Sequence, residues 1–342
     1  MAKFAYITLL LNTGYIPGAL NLAHSLRKTG STVPIVLLYS SKNISLELVN
    51  TLAGSGYFDQ LIPIDAPSIL ESRDTYNLNV LLQRYELSET LTKINLWSLT
   101  EFDKLVYLDS DTLIIKPIDH LFDIECSEST IVASPDCGWP DLFNSGVFML
   151  KPNDGIYKKL LETYETQSSF DGADQGLLNE FFNLQSEQNR TNWHRLPFVY
   201  NCTMNSNYEY LPAFLRFQND IHVLHFIGTQ KPWKSRGLCD SLGFLKANLY
   251  NGKSQNVYEL WWSLFEEVSI GDLDHITILR KTGNLQPRPY SEKFISEHHH
   301  HDDDDGNHDN DNNTHYFESA APAEPSSAPQ KSAFREKFIT AV

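Results

Sequence analysis

The stretch "KLVYLDSDTLII", residues 104–115, decides how the chain is read. Leu105, Val106, Tyr107 and Leu108 form an apolar run of the kind that fills a dry sheet. The run ends in Asp109 and Asp111, two carboxylates separated by Ser110. Burying such charges is costly unless something compensates them. Carboxylates at i and i+2, where a strand breaks up, can converge on one hard divalent cation and gain that compensation. A turn capped by acidic residues would look the same locally, so the surrounding chain has to discriminate.

Upstream, strand-like and helix-like segments alternate. "FAYITLLL" (4–11), "PIVLLYS" (34–40) and "FDQLIPID" (58–65) are predicted strands. "GALNLAHSLRKTG" (18–30) and "SLELVNTLAGSG" (45–56) have helical periodicity with glycine stops. "LTKINLWSLTEF" (91–102) is a predicted helix that feeds the strand ending at Asp109, and "VYELWWSLFEEV" (257–268) is another. This alternation predicts an α/β fold with a mostly parallel central sheet flanked by helices. Ligands of such sheets sit beyond the carboxyl ends of the strands, which is where Asp109 and Asp111 stand. No G-x-G-x-x-G follows the first strand and no G-x-x-x-x-G-K-[ST] occurs. A bound nucleotide would therefore have its diphosphate neutralised by a metal and basic side chains instead of a glycine-rich cradle.

The 342 residues suit one large α/β domain or two small ones, and 41% hydrophobic with 12% aromatic residues suits a packed enzyme core. A formal charge of -16 argues against nucleic acid and anionic membrane as partners. No segment approaches the ~20 apolar residues that span a bilayer. "MAKFAYITLLLNTGY" is broken early by Asn12 and reads as a buried strand, not as a signal peptide. Cys126, Cys137, Cys202 and Cys239 lack C-x-x-C spacing and read as reduced thiols of a cytoplasmic protein.

Composition suggests three regions. Residues 1–270 carry the catalytic domain. Residues 271–330 include "SEHHHHDDDDGNHDNDNNTHY" (296–316) and most of "SAAPAEPSSAPQKS" (319–332), an acidic, His- and Pro-rich linker expected to be disordered. Residues 331–342 can place Phe334, Phe338, Ile339 and Val342 on one helical face, as a partner-docking segment would.

Other segments add polar groups where strand ends gather. His225 lies in "LHFIG", just before the glycine loop "GTQKPW". Two carboxylates and an imidazole would leave open positions on Mn²⁺ or Mg²⁺ for substrate phosphates. Lys231, Lys93 and Arg84 could set positive charge against a diphosphate leaving group. Asp171, Asp174 and Gln175 in "DGADQG" suit sugar hydroxyls, or else a turn followed by a helix cap.

Taken in order over residues 4–265, a set of stretches resembles one family. They are "TLLLNTGYIPGAL", "RYELSETLTKINLWSL", "VYLDSDTL", "GWPDLFNSGVFMLKP", "SSFDGADQGLLNEFF", "LPFVYN", "YLPAF" and "HFIGTQKPW". The chain resembles the glycogenins, the self-glucosylating group of the retaining glycosyltransferases of family 8, whose fold is the GT-A nucleotide-diphospho-sugar transferase fold. The resemblance implies UDP-glucose as donor and Mn²⁺, with Mg²⁺ as substitute, held by Asp109, Asp111 and His225. It places Leu9, Asn12 and Tyr15 around the uridine, with Leu11 where the animal proteins tend to have threonine. Arg84 and Lys93 match positions that contact the sugar nucleotide, and Ser110 is the middle residue of the Asp-x-Asp motif. Asn144, Ser145, Asp171, Asp174 and Gln175 match glucose contacts. Gly228 and Lys231 match the diphosphate loop, and Asp174 is the candidate for orienting the acceptor or transiently accepting glucose.

Tyr208 matches the family's self-glucosylated tyrosine, with Tyr210 as competitor. The implied product is a growing α-1,4-glucan. A homodimer is expected, and glycogen synthase is a partner faintly echoed in "SAFREKF". Three alternatives stand beside this reading. One is a family 8 transferase acting on a free acceptor such as inositol or a glycan. Another is a phosphatase of the haloacid dehalogenase type, in which Leu113 would be out of pattern. The third is a non-enzymatic scaffold that recruits glycogen synthase.

Overall fold

A strand paired on both sides inside a covered sheet is largely apolar, and residues 5–10 are all buried, Thr8 being the one polar side chain among them. The computed structural model of the chain describes residues 3–64, 70–73, 76–84, 87–138, 140–167, 169–184, 192–204, 211–234, 236, 246–248 and 254–285. Its first half runs Phe4–Leu10 (β1), Ile16–Lys28 (α1), Ile35–Ser40 (β2), Leu46–Ala53 (α2), Gln60–Ile64 (β3) and Lys104–Leu108 (β4). Then come Thr112–Ile114 (β5), Ile131–Pro135 (β6), Phe143–Leu150 (β7), Asp154–Thr166 (α3), Asp174–Asn179 (α4) and Trp193–Arg195 (β8). Cys202–Thr203 (β9), Leu211–Phe217 (α5), Val223–His225 (β10), Lys246–Asn248 (β11) and Ser254–Asn256 (β12) follow. Val257–Phe265 (α6), Ser269–Ile270 (β13), Leu273–Asp274 (β14) and His275–Lys281 (α7) complete the described chain.

Seven strands form the main sheet in the order β3-β2-β1-β4-β7-β6-β8. The pairings from β3 through β4 are parallel, as expected, and so is β6 with β8. β7 runs the other way against both neighbours. That reversal sets Val147 opposite Leu108, so the start of β7 lies beside the end of β4. Alternate residues of β1 enter opposite cores. Tyr6 and Leu10 join α1 and α6, whereas Ala5, Ile7 and Leu9 join Trp97, Phe148 and Phe182. Pro63 is tolerated in β3 because that strand is an edge.

A second sheet of three short strands, β5-β10-β9, continues from the end of β4. It pairs Thr112 with His225 and Thr203 with His225. α1 reaches this corner because Gly18 has no side chain. A Cβ there would stand 2.3 Å from the Ser110 carbonyl oxygen and 2.7 Å from the Trp233 ring.

The helix expected over 91–102 is a 3₁₀ segment, Thr90–Ser98. Side chains compete with the α-helical ladder there: Asn95 Nδ2 donates to the Thr92 carbonyl at 2.9 Å, and Ser98 Oγ to the Asn95 carbonyl at 2.8 Å. The expected domain end at 270 falls short of the folded chain. Ile278 and Leu279 of α7 are buried in the α1 core, and Asn284 Nδ2 donates to the Gly14 carbonyl at 3.1 Å. All described residues belong to one unit, Met1–Pro289. The rest of the expected linker, from residue 286, and the 331–342 segment lie outside the described residues. Among the described residues, no helix is long and apolar enough to cross a membrane.

Trp97 is fully buried between Phe148 and Phe182, with ring centroids 5.8 and 5.5 Å away. Trp97→Ala is expected to lower the unfolding free energy by about 3–5 kcal/mol, measured by urea denaturation followed by circular dichroism.

Candidate active site

A cleft of about 450 Å³ opens where β1, β4, β7 and β10 end or begin together. Leu9, Leu11, Asn12 and Tyr15 form one wall, and Arg84 and Lys93 approach from the segment before β4. Asp109, Ser110 and Asp111 line it from the end of β4, and Asn144 and Ser145 from the start of β7. Asp171, Asp174, Gln175, His225 and Lys231 complete the expected set. Gly228 sits in the loop joining His225 to Lys231 with φ +87°, a conformation that glycine accepts without strain. Tyr208 and Tyr210 lie outside the described residues.

The floor is a web of buried charge. Lys93 Nζ lies 3.0 Å from Asp109 Oδ1 and 2.8 Å from Asp174 Oδ2, and donates to the Ser145 carbonyl at 3.2 Å. Lys231 Nζ pairs with Asp111 Oδ2 and donates to the Phe226 carbonyl at 2.9 Å. His225 Nε2 is 3.2 Å from Asp111 Oδ1 and 3.8 Å from Asp109 Oδ2. Backbone bonds hold the two motif carboxylates in place: Asp109 N–H donates to the Gly146 carbonyl at 2.7 Å and Phe226 N–H to the Asp111 carbonyl at 3.0 Å. One ligand atom from each of Asp109, Asp111 and His225 lies within 4.8 Å of the other two. Hard carboxylate oxygens with one imidazole nitrogen at that spacing fit a divalent cation.

These contacts set the charge states. Burial would raise Asp111, but Lys231 and His225 outweigh it and hold the carboxyl well below the usual range. Burial lifts Asp109 above the usual range, against the pull of Lys93 and with Asp111 adding to the rise. Burial alone would lower Lys93, yet Asp109 and Asp174 together keep its ammonium above the ordinary lysine range. Burial, reinforced by Asp109, pushes the Tyr107 phenol well above its usual value.

Sequence reasoning passed over four residues. Tyr107 OH donates to Asp109 Oδ1 at 2.6 Å, and the two share one face of the strand by its period of two. That signal was available in the motif itself. Asp136 accepts from Gln175 Nε2 at 2.6 Å, and Asn201 lies against His225. Gly146 gives the imidazole its seat, because a Cβ there would stand 2.2 Å from His225 Cε1. Nothing local marks these three.

The profile of glycosyl transferase family 8 matches residues 6–237. The chain belongs to glycosyltransferase family 8. The chain is thereby set apart from the phosphatase reading. It is 40% identical over 272 residues to the glycogenin of Neurospora crassa, covering 80% of this chain and 36% of that protein. Human glycogenin-1 is 39% identical over 271 residues, covering 78% of this chain and 72% of that one. The chain spans 36% and 50% of the Neurospora protein and human glycogenin-2, respectively. The galactosyltransferase LgtC, solved in complex with donor and acceptor sugar analogs, superposes with a TM-score of 0.53 at 17% identity. That match covers 76% of this chain and 94% of LgtC, a likeness of GT-A fold.

The low Asp111 value has a consequence for acid stability. Its contribution is present above the unfolded-chain value and is lost as pH falls through the folded value, because only the unfolded chain takes up the proton near about pH 4. In the presence of a chelator, Asp111→Asn is expected to cost about 3–5 kcal/mol at neutral pH, since Lys231 is left buried without its counter-ion. It is also expected to flatten the acid-side fall. Urea unfolding across a pH series reads both.

Proposed function

We propose that the chain is a retaining, UDP-glucose-dependent glucosyltransferase that glucosylates its own Tyr208 and extends a short α-1,4-glucan from it as a primer for glycogen. One observation carries the reading. Two carboxylates and an imidazole converge on the floor of a cleft whose other charged groups include two buried lysines. A nucleoside diphosphate leaving group calls for that combination, a cation site flanked by fixed positive charge. The similarity to glycogenins supports the choice of donor and of tyrosine as acceptor.

Asp109, Asp111 and His225 would hold Mn²⁺, or Mg²⁺ in its place. An ion held there would supply Lewis-acid charge to offset that of a diphosphate leaving group. Lys231 would add positive charge there; it meets Asp111 through Oδ2, whereas His225 meets it through Oδ1. Leu9, Leu11, Asn12 and Tyr15 provide a flat wall for the uridine, with Tyr15 set edge-on against Trp233 at 5.5 Å. Arg84, Lys93 and Ser110 flank the sugar nucleotide, and Gly228 lets the Lys231 loop turn over it.

Glucose hydroxyls would meet Asn144, Ser145, Asp171, Asp174 and Gln175. Ser145 Oγ donates to Asp174 Oδ2 at 2.6 Å, and Gln175 Oε1 accepts from Ser145 N–H at 3.2 Å, so these groups are oriented before a sugar arrives. Asp174 then orients the acceptor or transiently accepts glucose. A phenol with a reference pKa of about 10 is a poor nucleophile at neutral pH, so attack requires its proton to leave as the new bond forms. The reading carries with it a homodimer, which would present Tyr208 to a partner's cleft, and glycogen synthase as a partner for residues 331–342.

Purified protein incubated with UDP-glucose and Mn²⁺ should show intact masses in a ladder of single hexoses. Tyr208→Phe should abolish it while UDP-glucose hydrolysis persists. A ladder lost in Tyr210→Phe instead would move the acceptor. An unmodified Tyr208 with turnover onto a soluble glycan or inositol would mark a transferase for free acceptors. Gly146→Ala is expected to displace His225 and weaken Mn²⁺ binding by about tenfold or more, measured by calorimetry.

A further inference from the structure

The amide orientations beside the imidazole are fixed by donors that can play only one part. The Gly146 backbone N–H donates to Asn144 Oδ1 at 2.9 Å. A backbone N–H never accepts, so that atom of Asn144 is its carbonyl oxygen. Asn201 Nδ2 donates to the same oxygen at 2.8 Å. The other end of the Asn201 amide, its oxygen, therefore faces His225 Nδ1 at 2.8 Å. An amide oxygen only accepts, so Nδ1 carries hydrogen whether the ring is neutral or charged. In the neutral ring the lone pair lies at Nε2, the nitrogen 3.2 Å from Asp111 Oδ1 and 3.8 Å from Asp109 Oδ2.

Rotation of the ring is restricted as well. The space where a Gly146 side chain would sit is filled by His225 Cε1 and Nδ1, and both Asn201 and His225 are buried. With the ring held in place, the position of its hydrogen is the remaining freedom. A hydrogen on Nε2 would point at the two carboxylates and satisfy them without any ion. A hydrogen on Nδ1 leaves three acceptors facing one another, an arrangement that a cation resolves.

We propose that Asn201 is a positioning residue that selects the Nδ1–H form of His225 and so presents Nε2 to a divalent cation, its own amide being oriented by Asn144 and the Gly146 N–H. The inference rests on the cation-site reading of Asp109, Asp111 and His225. Partners of this kind, one shell out from a metal, commonly alter affinity by about 10–100-fold when removed.

The test uses the full chain, freed of metal and labelled with ¹⁵N-histidine. Long-range ¹H–¹⁵N correlation on the wild type should show His225 with hydrogen on Nδ1. Hydrogen on Nε2 alone would overturn the proposal without any variant. Asn201→Leu should lose that preference and weaken Mn²⁺ binding, followed by electron paramagnetic resonance, by about 10–100-fold. Asn201→Asp keeps an acceptor for Nδ1–H and should recover the tautomer and most of the affinity, which a merely structural role would not predict. Wild-type binding with Asn201→Leu unchanged in both tautomer and affinity would overturn this inference alone. A wild type that binds no Mn²⁺ sensitive to Asp109→Asn would overturn the cation site and this inference together.

Discussion

Everything around the cleft answers to one electrostatic constraint. Asp111 and Asp174 are buried and Asp109 is mostly so, and an unpaired carboxylate in such surroundings costs several kcal/mol. Each is therefore met by charge from elsewhere in the chain. Lys93, from the 3₁₀ segment before β4, bridges Asp109 and Asp174, and Lys231, from the loop after β10, takes Asp111. Three carboxylates against two ammonium groups leave this set of side chains short of positive charge, with the His225 imidazole beside it. That imbalance suits a cation at this corner. Both lysines line the cleft.

The fold makes this meeting possible through a change of strand direction. A wholly parallel sheet would carry the start of β7 to the far end of β4. Because β7 is antiparallel, Asn144, Ser145 and Gly146 arrive beside Asp109. β5 and β10 then pair antiparallel just past the motif and set His225 level with Thr112. Two glycines let these pieces close up. Gly18 admits the start of α1 against the Ser110 carbonyl, and Gly146 admits the imidazole against β7.

Hydrogen bonds among the side chains fix the polar lining of the cleft in advance. Ser145, Gln175 and Asp136 are hydrogen-bonded to one another or to Asp174, so their polar atoms are already oriented in the cleft. The hydrophobic stacks beneath, Trp97 with Phe148 and Phe182 on one side and Trp233 with Trp261 on the other, anchor the segments that carry Lys93 and Lys231. Loss of packing in either core would be felt at the charges through those two lysines.

Periodicity alone was enough to read the parallel half of the sheet, because a covered strand must be largely apolar and a helix that covers it must alternate on a 3.6-residue period. The chain also announced its charged motif, since Asp109 and Asp111 interrupt an otherwise dry strand. Local pattern misjudged residues 91–102, where asparagine and serine side chains cap the backbone from within and convert an apparent α-helix to 3₁₀. It also stopped the folded chain at 270, because α7 is short and amphipathic and its burial depends on α1. Asp136, Gly146 and Asn201 could not be found along the chain. What gives each its part is a neighbour 39, 79 or 24 positions away, and hydrogen bonds and close contacts of that range exist only once the strands have paired.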